Sequence, residues 1–262
     1  MGKLITFWSP YRGQAGVTSA VCAIAGAFGL EYPELELALS HAQTDSMELE
    51  KRMDGRPGRP GGKELFEKTG VAALKLNYRQ EVLTSEKIRR CAVPLRMKSL
   101  YLFPGDSRQG ERDVLWYELM SRKLVQEFPI TILDLECGWS ETSLQLMQEA
   151  DVAVVVLPQN PEYWQRFMEF EAEKLKGKKT GLVLGGCLEN SRYSPGYFAR
   201  KYRARMFGAI PRNAGFLDAM TEGRTLDFFM RNKLVGKKEE NYEFIIQTQR
   251  TAECIKKAAE GK

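Results

Sequence analysis

Residues 4–19 constrain this chain more than any other stretch. Leu4-Ile5-Thr6-Phe7-Trp8 is an apolar run of strand length, and Gly13 and Gly16 interrupt it before Val17-Thr18-Ser19-Ala20 opens a helical pattern. A buried strand that turns through glycines into a helix N-terminus presents backbone N–H groups to an anion, which is the plan of a phosphate-binding P-loop. In G-x-x-x-x-G-K-[ST] the lysine reaches the terminal phosphates and the hydroxyl holds Mg²⁺. Here Gly16 is followed by Val17 and then Thr18, so the lysine is missing. The chain joins a phosphate-cradling scaffold to the loss of the side chain on which phosphoryl transfer most relies.

The rest of the chain fits a layered α/β plan. Besides Leu4–Trp8, strand-like runs occur at Leu35–Ser40, Leu100–Phe103, Ile130–Leu135, Val152–Leu157, Gly181–Leu184 and Met206–Ile210. Helical patterns fall at Thr18–Phe28, Lys63–Leu76, Ser85–Cys91, Glu111–Glu127, Glu141–Glu149, Pro161–Leu175, Pro195–Arg205 and Glu239–Ala259. Their alternation predicts a doubly wound, mostly parallel sheet with helices on both faces. The central runs are almost wholly apolar, as strands covered on both sides must be. Residues 54–62, rich in glycine, proline and arginine, bury nothing and read as a mobile loop inside the domain. No internal repeat is present.

At 262 residues and 43% hydrophobic content, the chain suffices for one sizeable core, and a single domain over 1–262 is expected. A net charge of +5 permits contact with nucleic acid or an acidic membrane surface without requiring either. The five cysteines show no C-x-x-C pairing, which argues against a disulfide framework or zinc site and for a reducing compartment. Leu4–Trp8 is too short for a signal peptide and no run reaches transmembrane length, so a cytoplasmic protein without stable membrane insertion is expected.

Several further signals follow in order. Leu100-Tyr101-Leu102-Phe103 ends in Pro104-Gly105, Ile130-Thr131-Ile132-Leu133 ends in Asp134, and Ala150-Asp151 leads into Val152–Leu157 and Pro158. Gly208-Ala209-Ile210-Pro211-Arg212-Asn213 and a turn at Asp218-Ala219-Met220-Thr221-Glu222-Gly223 come later. This succession resembles the ParA/MinD family of deviant Walker A ATPases over almost the whole chain, including relatives that accompany tight-adherence (Tad) pili, such as TadZ and CpaE.

The resemblance aligns the family loop Lys-Gly-Gly-x-Gly-Lys-Thr-Thr with Arg12, Gly13, Gln14, Ala15, Gly16, Val17, Thr18 and Ser19. The first lysine of that loop crosses a nucleotide-sandwich dimer to the partner's phosphates, and Arg12 keeps a cation there. Gly13 and Gly16 supply the turns, and Thr18 supplies a hydroxyl for Mg²⁺. Val17 cannot replace the second lysine, and losing such a charge-stabilising group costs about a hundred- to a thousandfold in rate. Asp134 matches the Walker B aspartate that holds Mg²⁺ through water; otherwise it caps the loop that follows. Relatives carry an aspartate-rich segment after the second strand, where this chain reads Leu39-Ser40-His41-Ala42-Gln43-Thr44, and Asp45 lies too far along. His41, the one histidine, reads as a polar surface or loop residue. Base contacts in relatives come from an asparagine, replaced here by Gly185 or Gly186, and from residues matching Pro211, Arg212 and Asn213. The expected cofactors are ATP or ADP with Mg²⁺, bound weakly or not at all.

Two basic segments bear on partners. Arg200, Lys201, Arg203 and Arg205, interleaved with Tyr197, Phe198 and Tyr202, are expected on one helix, either along a nonspecific DNA backbone or as a solvated face. Phe244, Ile245, Thr248, Ala252 and Ile255 recur at helical spacing, and the tail after them lacks the bulky apolar residues of a membrane anchor. The sequence therefore points to a slow or non-hydrolysing positioning or assembly factor with protein partners, in a Tad-type pilus or secretion system, forming a nucleotide-dependent homodimer. The alternatives are an active ATPase using Arg12, and a DNA-binding partition protein.

Overall fold

The computed structural model describes residues 2–43, 48–54, 69–80, 82–105 and 114–261. Among these, β1 (Lys3–Trp8), β2 (Leu37–Ala42), β3 (Val93–Pro94), β4 (Leu100–Phe103), β5 (Ile130–Leu135), β6 (Val152–Pro158), β7 (Thr180–Cys187) and β8 (Met206–Pro211) form one sheet. The order is β3-β4-β2-β5-β1-β6-β7-β8, and every pairing is parallel except β3 with β4. The chain winds away from β1 in both directions. Loops leaving the carboxyl ends of β1 and its neighbours therefore diverge, and a crevice opens there.

Period-two alternation divides the interior into two layers. Ile5 and Phe7 face one side of the sheet, where they pack with α1 (Val17–Glu31), α2 (Glu48–Asp54), α9 (Ala214–Thr221), α10 (Thr225–Arg231) and α11 (Tyr242–Glu260). Leu4 and Trp8 face the other, under α3 (Gly70–Gln80), α4 (Ser85–Cys91), α5 (Val114–Glu127), α6 (Glu141–Glu149), α7 (Pro161–Arg166) and α8 (Pro195–Tyr202). On α11 the residues Phe244, Ile245, Thr248, Ala252 and Ile255 are all buried, and the helix lies against β8 and α1. Its polar stripe faces outward, and no described helix is long and apolar enough to cross a membrane.

The structure corrects several sequence expectations. Residues 161–175 are not one α-helix: α7 gives way to a π-helix over Phe167–Glu171 and a 3-10 turn over Ala172–Leu175. Both variants keep nearly helical side-chain spacing, so periodicity alone does not separate them. The turn expected from Asp218 begins instead as the last residues of α9, and the chain reverses only at Gly223, whose φ is +68°. Helix α8 stops at Tyr202 because Arg203 adopts φ 50°, which takes Arg203 and Arg205 off the helix. Asp54 closes α2 rather than opening a loop, while the remainder of the 54–62 segment and residues 63–68 of the expected 63–76 helix lie outside the described residues. Residues 111–113 of the expected 111–127 helix and Asp45 also lie outside them.

Candidate nucleotide-phosphate site

The glycine loop leaves β1 and is tied down on both flanks. Trp8 Nε1 donates to the Gly138 carbonyl (2.7 Å) and the Gly138 N–H donates to the Ser9 carbonyl (2.9 Å), joining the loop to the segment after β5. The Tyr11 hydroxyl donates to the Tyr163 carbonyl on α7 (2.9 Å). Burial, with nearby Glu171, keeps that phenol protonated far above neutral pH. Gly13 and Gly16 have φ of +71° and +67°, a region costly for residues with a Cβ. Gly16 is the N-cap of α1 and no side chain caps the helix, so its first-turn N–H groups are left for solvent or a ligand.

Two cavities flank the loop and share Gly13, Ala15, Gly16 and Ser19 as walls. The first, about 360 Å³, is also lined by Arg12, Thr18, Gln43, Arg52, Glu136 and Cys137. The second, about 320 Å³, is lined by Gln14, Gly185, Gly186, Pro211, Arg212 and Asn213 over an apolar floor of Ile210, Phe216 and Leu217. The fold thus gathers every loop residue from Arg12 to Ser19, together with Pro211, Arg212 and Asn213, around one pair of adjoining spaces. β7 reaches the loop at Gly185, where a Cβ would stand 2.1 Å from the Ala15 carbonyl oxygen. Asn213 is occupied as the cap of α9: its Oδ1 accepts from the Phe216 N–H (2.8 Å) and its amide donates to Asn241 (2.9 Å).

Val17 touches the first cavity but is only 5% exposed and belongs to the apolar layer beneath the loop. The position that carries the lysine in the general motif is here a core position. Thr18 turns toward the sheet, and its hydroxyl donates to Asp134 Oδ2 (2.6 Å). Asp134 is fully buried, and its Oδ1 has no hydrogen-bond partner among the described residues. Burial raises its carboxyl from an ordinary 3.8 to about 6, against the pull of Thr18, His41 and Gln43. It does not cap the loop after β5. The residues fit Mg²⁺ in one respect: an orphaned buried carboxylate oxygen stands beside a hydroxyl on the cavity wall. Among the described residues no group of three or more His, Cys, Asp or Glu side chains gathers to hold a metal, so any ion would need phosphate and water oxygens as well. Cys137 is no nucleophile, because burial and Asp134 push its thiol up to about 11.

His41 is the clearest correction. It is 2% exposed and lies inside β2, opposite Asp134 in the β2–β5 register. Its Nε2 meets Glu50 Oε1 at 2.8 Å, and Glu50, also buried, accepts the Gly105 N–H at 2.7 Å. The Gln43 N–H points at Nδ1 (3.2 Å), which keeps the proton of the neutral ring on Nε2. Burial pushes the imidazole down, but the facing carboxylate outweighs it and the ring titrates above its ordinary value. For Glu50 burial pushes upward, and His41 with the Gly105 N–H holds it below its ordinary value. The alternation of Leu37, Leu39 and His41 carried the signal for burial; Glu50 and Arg52, on a short helix not anticipated, carried none. In the basic segment, Arg200, Lys201, Arg203 and Arg205 are exposed and Phe198 is buried, an arrangement common to a solvated face and to one that lies along a nucleic-acid backbone.

No protein-family model and no curated protein sequence matches the chain. Solved structures do. The cell division ATPase MinD of Pyrococcus furiosus superposes with a TM-score of 0.70 at 16% identity, covering 99% of this chain and 100% of that one. A ParA family ATPase from Chlorobium tepidum gives 0.69 at 12% identity over 96% of this chain and 99% of that one. The septum site-determining protein MinD of Pyrococcus horikoshii, solved with Mg-ADP, gives 0.69 at 14% identity over 99% and 98%. At these identities likeness speaks for architecture, and the chain has the fold of the MinD and ParA-family ATPases.

Proposed function

We propose that this chain is a ParA/MinD-like positioning or assembly factor that holds a nucleoside di- or triphosphate at the glycine loop and hydrolyses it at near-background rate. The observation that carries this reading is the split within the loop. The cradle is intact in Gly13, Gly16, the uncapped start of α1 and the Thr18–Asp134 pair, whereas Val17 has joined the core. The backbone N–H groups would bind phosphate, the second cavity would take the nucleoside, and Thr18 with Asp134 would hold Mg²⁺ against the phosphates. Bound there, the ion supplies charge neutralisation for the terminal phosphates. Phosphoryl transfer depends on positioning and electrostatics, so a missing loop lysine and a glutamine rather than a carboxylate at the end of β2 leave little rate enhancement.

The same fold in Pyrococcus horikoshii MinD was solved with Mg-ADP, which supports the ligand class. Arg12 is exposed on the cavity wall, and this supports a nucleotide-dependent homodimer in which it meets the partner's phosphates. A protein partner in a Tad-type pilus or secretion system is supported by the order of sequence motifs alone. The test is phosphate release from Mg-ATP by the whole chain, with Gly16→Val and Thr18→Ala as controls for contamination. Release equal in all three supports the reading. Robust turnover that disappears in the variants contradicts it and favours an ATPase using Arg12.

A further inference from the structure

We propose that Arg52 supplies, from α2 of the same chain, the cation that meets the terminal phosphates of the bound nucleotide. The inference rests on the nucleotide-binding reading above and names a residue of that site which the loop sequence does not contain.

Four observations converge on Arg52. It lines the first cavity, so the loop backbone and this guanidinium border the same space. Its Nε is buried and has no hydrogen-bond partner among the described residues. Arginine cannot shed that proton, so a buried Nε–H without an acceptor carries a cost, which a turn of the side chain toward a phosphate oxygen in the cavity would relieve, and a guanidinium fork fits such an acceptor best. Among the described residues the side chain's one bond, Nη2 to Glu48 (3.0 Å), is an i,i+4 surface pair that leaves the rest of the fork unused. The helix is also fixed in place. Leu49 and Met53 are buried in the core, Glu50 is clamped by His41 and Gly105, and the Thr225 hydroxyl donates to the Arg52 carbonyl at 2.7 Å.

Among the described residues two cations line the cavity, Arg12 and Arg52. Arg12 belongs to the exposed loop, at the position that faces a partner in the resemblance. Arg52 stands on a packed helix and acts within its own chain. A charged residue held on a rigid element is preorganised for a terminal phosphate at little entropic cost.

The test is calorimetric titration of the full chain with ADP and Mg²⁺, comparing wild type, Arg52→Ala, Arg52→Lys and Arg12→Ala, with unfolding midpoints recorded without nucleotide. Removing a charge-assisted contact should weaken ADP by about ten- to a hundredfold in Arg52→Ala. Arg52→Lys should recover part of that loss, and Arg12→Ala should cost the isolated chain less than Arg52→Ala. ADP binding by Arg52→Ala within twofold of wild type overturns the role of Arg52 and leaves the nucleotide site standing. A loss that lysine does not restore, with a lowered midpoint in both Arg52 variants, marks a structural arginine and also overturns it. A wild type that binds no ADP overturns the site and the inference together.

Discussion

Replacing Asp134 by asparagine should make the free protein more stable at neutral pH. The carboxylate is fully buried, one oxygen takes the Thr18 hydroxyl at 2.6 Å, and the other has no partner among the described residues. Burial lifts its pKa from 3.8 to about 6. At about 1.4 kcal/mol per pH unit, keeping this group ionised in the folded state costs about 3 kcal/mol. The sign follows from proton uptake: between the two values the folded chain binds more protons than the unfolded one, so stability falls as pH rises through that window and levels off above it. Asparagine has the same shape and does not titrate there. Urea unfolding in magnesium- and nucleotide-free buffer should show Asp134→Asn ahead by about 3 kcal/mol at about pH 8, the lead shrinking below about pH 6 and vanishing near pH 4. A variant no more stable than wild type at the higher pH, or a difference constant across the range, would contradict a charge held at the expense of stability. Such a charge makes sense at a site that a cation completes.

Further outcomes follow from the same geometry. His41→Leu leaves Glu50 buried without its histidine, and should cost about 3–5 kcal/mol in urea unfolding at neutral pH, with the deficit narrowing in acid as Glu50, now pushed up by burial, takes up a proton. Gly185→Ala puts a methyl where the Ala15 carbonyl now lies 2.1 Å away, so the loop must shift; ADP affinity should drop about tenfold or more while far-ultraviolet circular dichroism stays unchanged. Val17→Lys should tighten ADP binding in calorimetry, since a lysine too long and charged for the core extends into the cavity, yet phosphate release should stay near the buffer rate because no carboxylate ends β2.

What the sequence disclosed depended on how local each feature is. The strands around β1 are short, apolar and bounded by breakers, so their order, the glycine loop and Asp134 were legible from neighbours in the chain. The buried stripe of α11 was legible for the same reason, since Phe244 to Ile255 repeat at one period. The two-residue strand β3 was not, because it pairs at the edge of the sheet and contains Pro94. The passage from α7 into a π-helix left no mark in the spacing. The pairing of His41 with Glu50 crosses from a strand to a helix, and the approach of Arg52 to the cavity depends on how α2 packs on α1, α9 and α10. Both are tertiary facts, which no local pattern in the chain carries.

Whether the loop still holds a nucleotide is measured most directly by titrating the purified whole chain with ADP and Mg²⁺ in a calorimeter, beside Gly16→Val, whose β-branched side chain is strained at φ +67°. Saturable binding by wild type, with one nucleotide per chain and loss in the variant, is the predicted result. Absence of binding by wild type, or equal binding by both, would mean that the glycine cradle is no longer a nucleotide site.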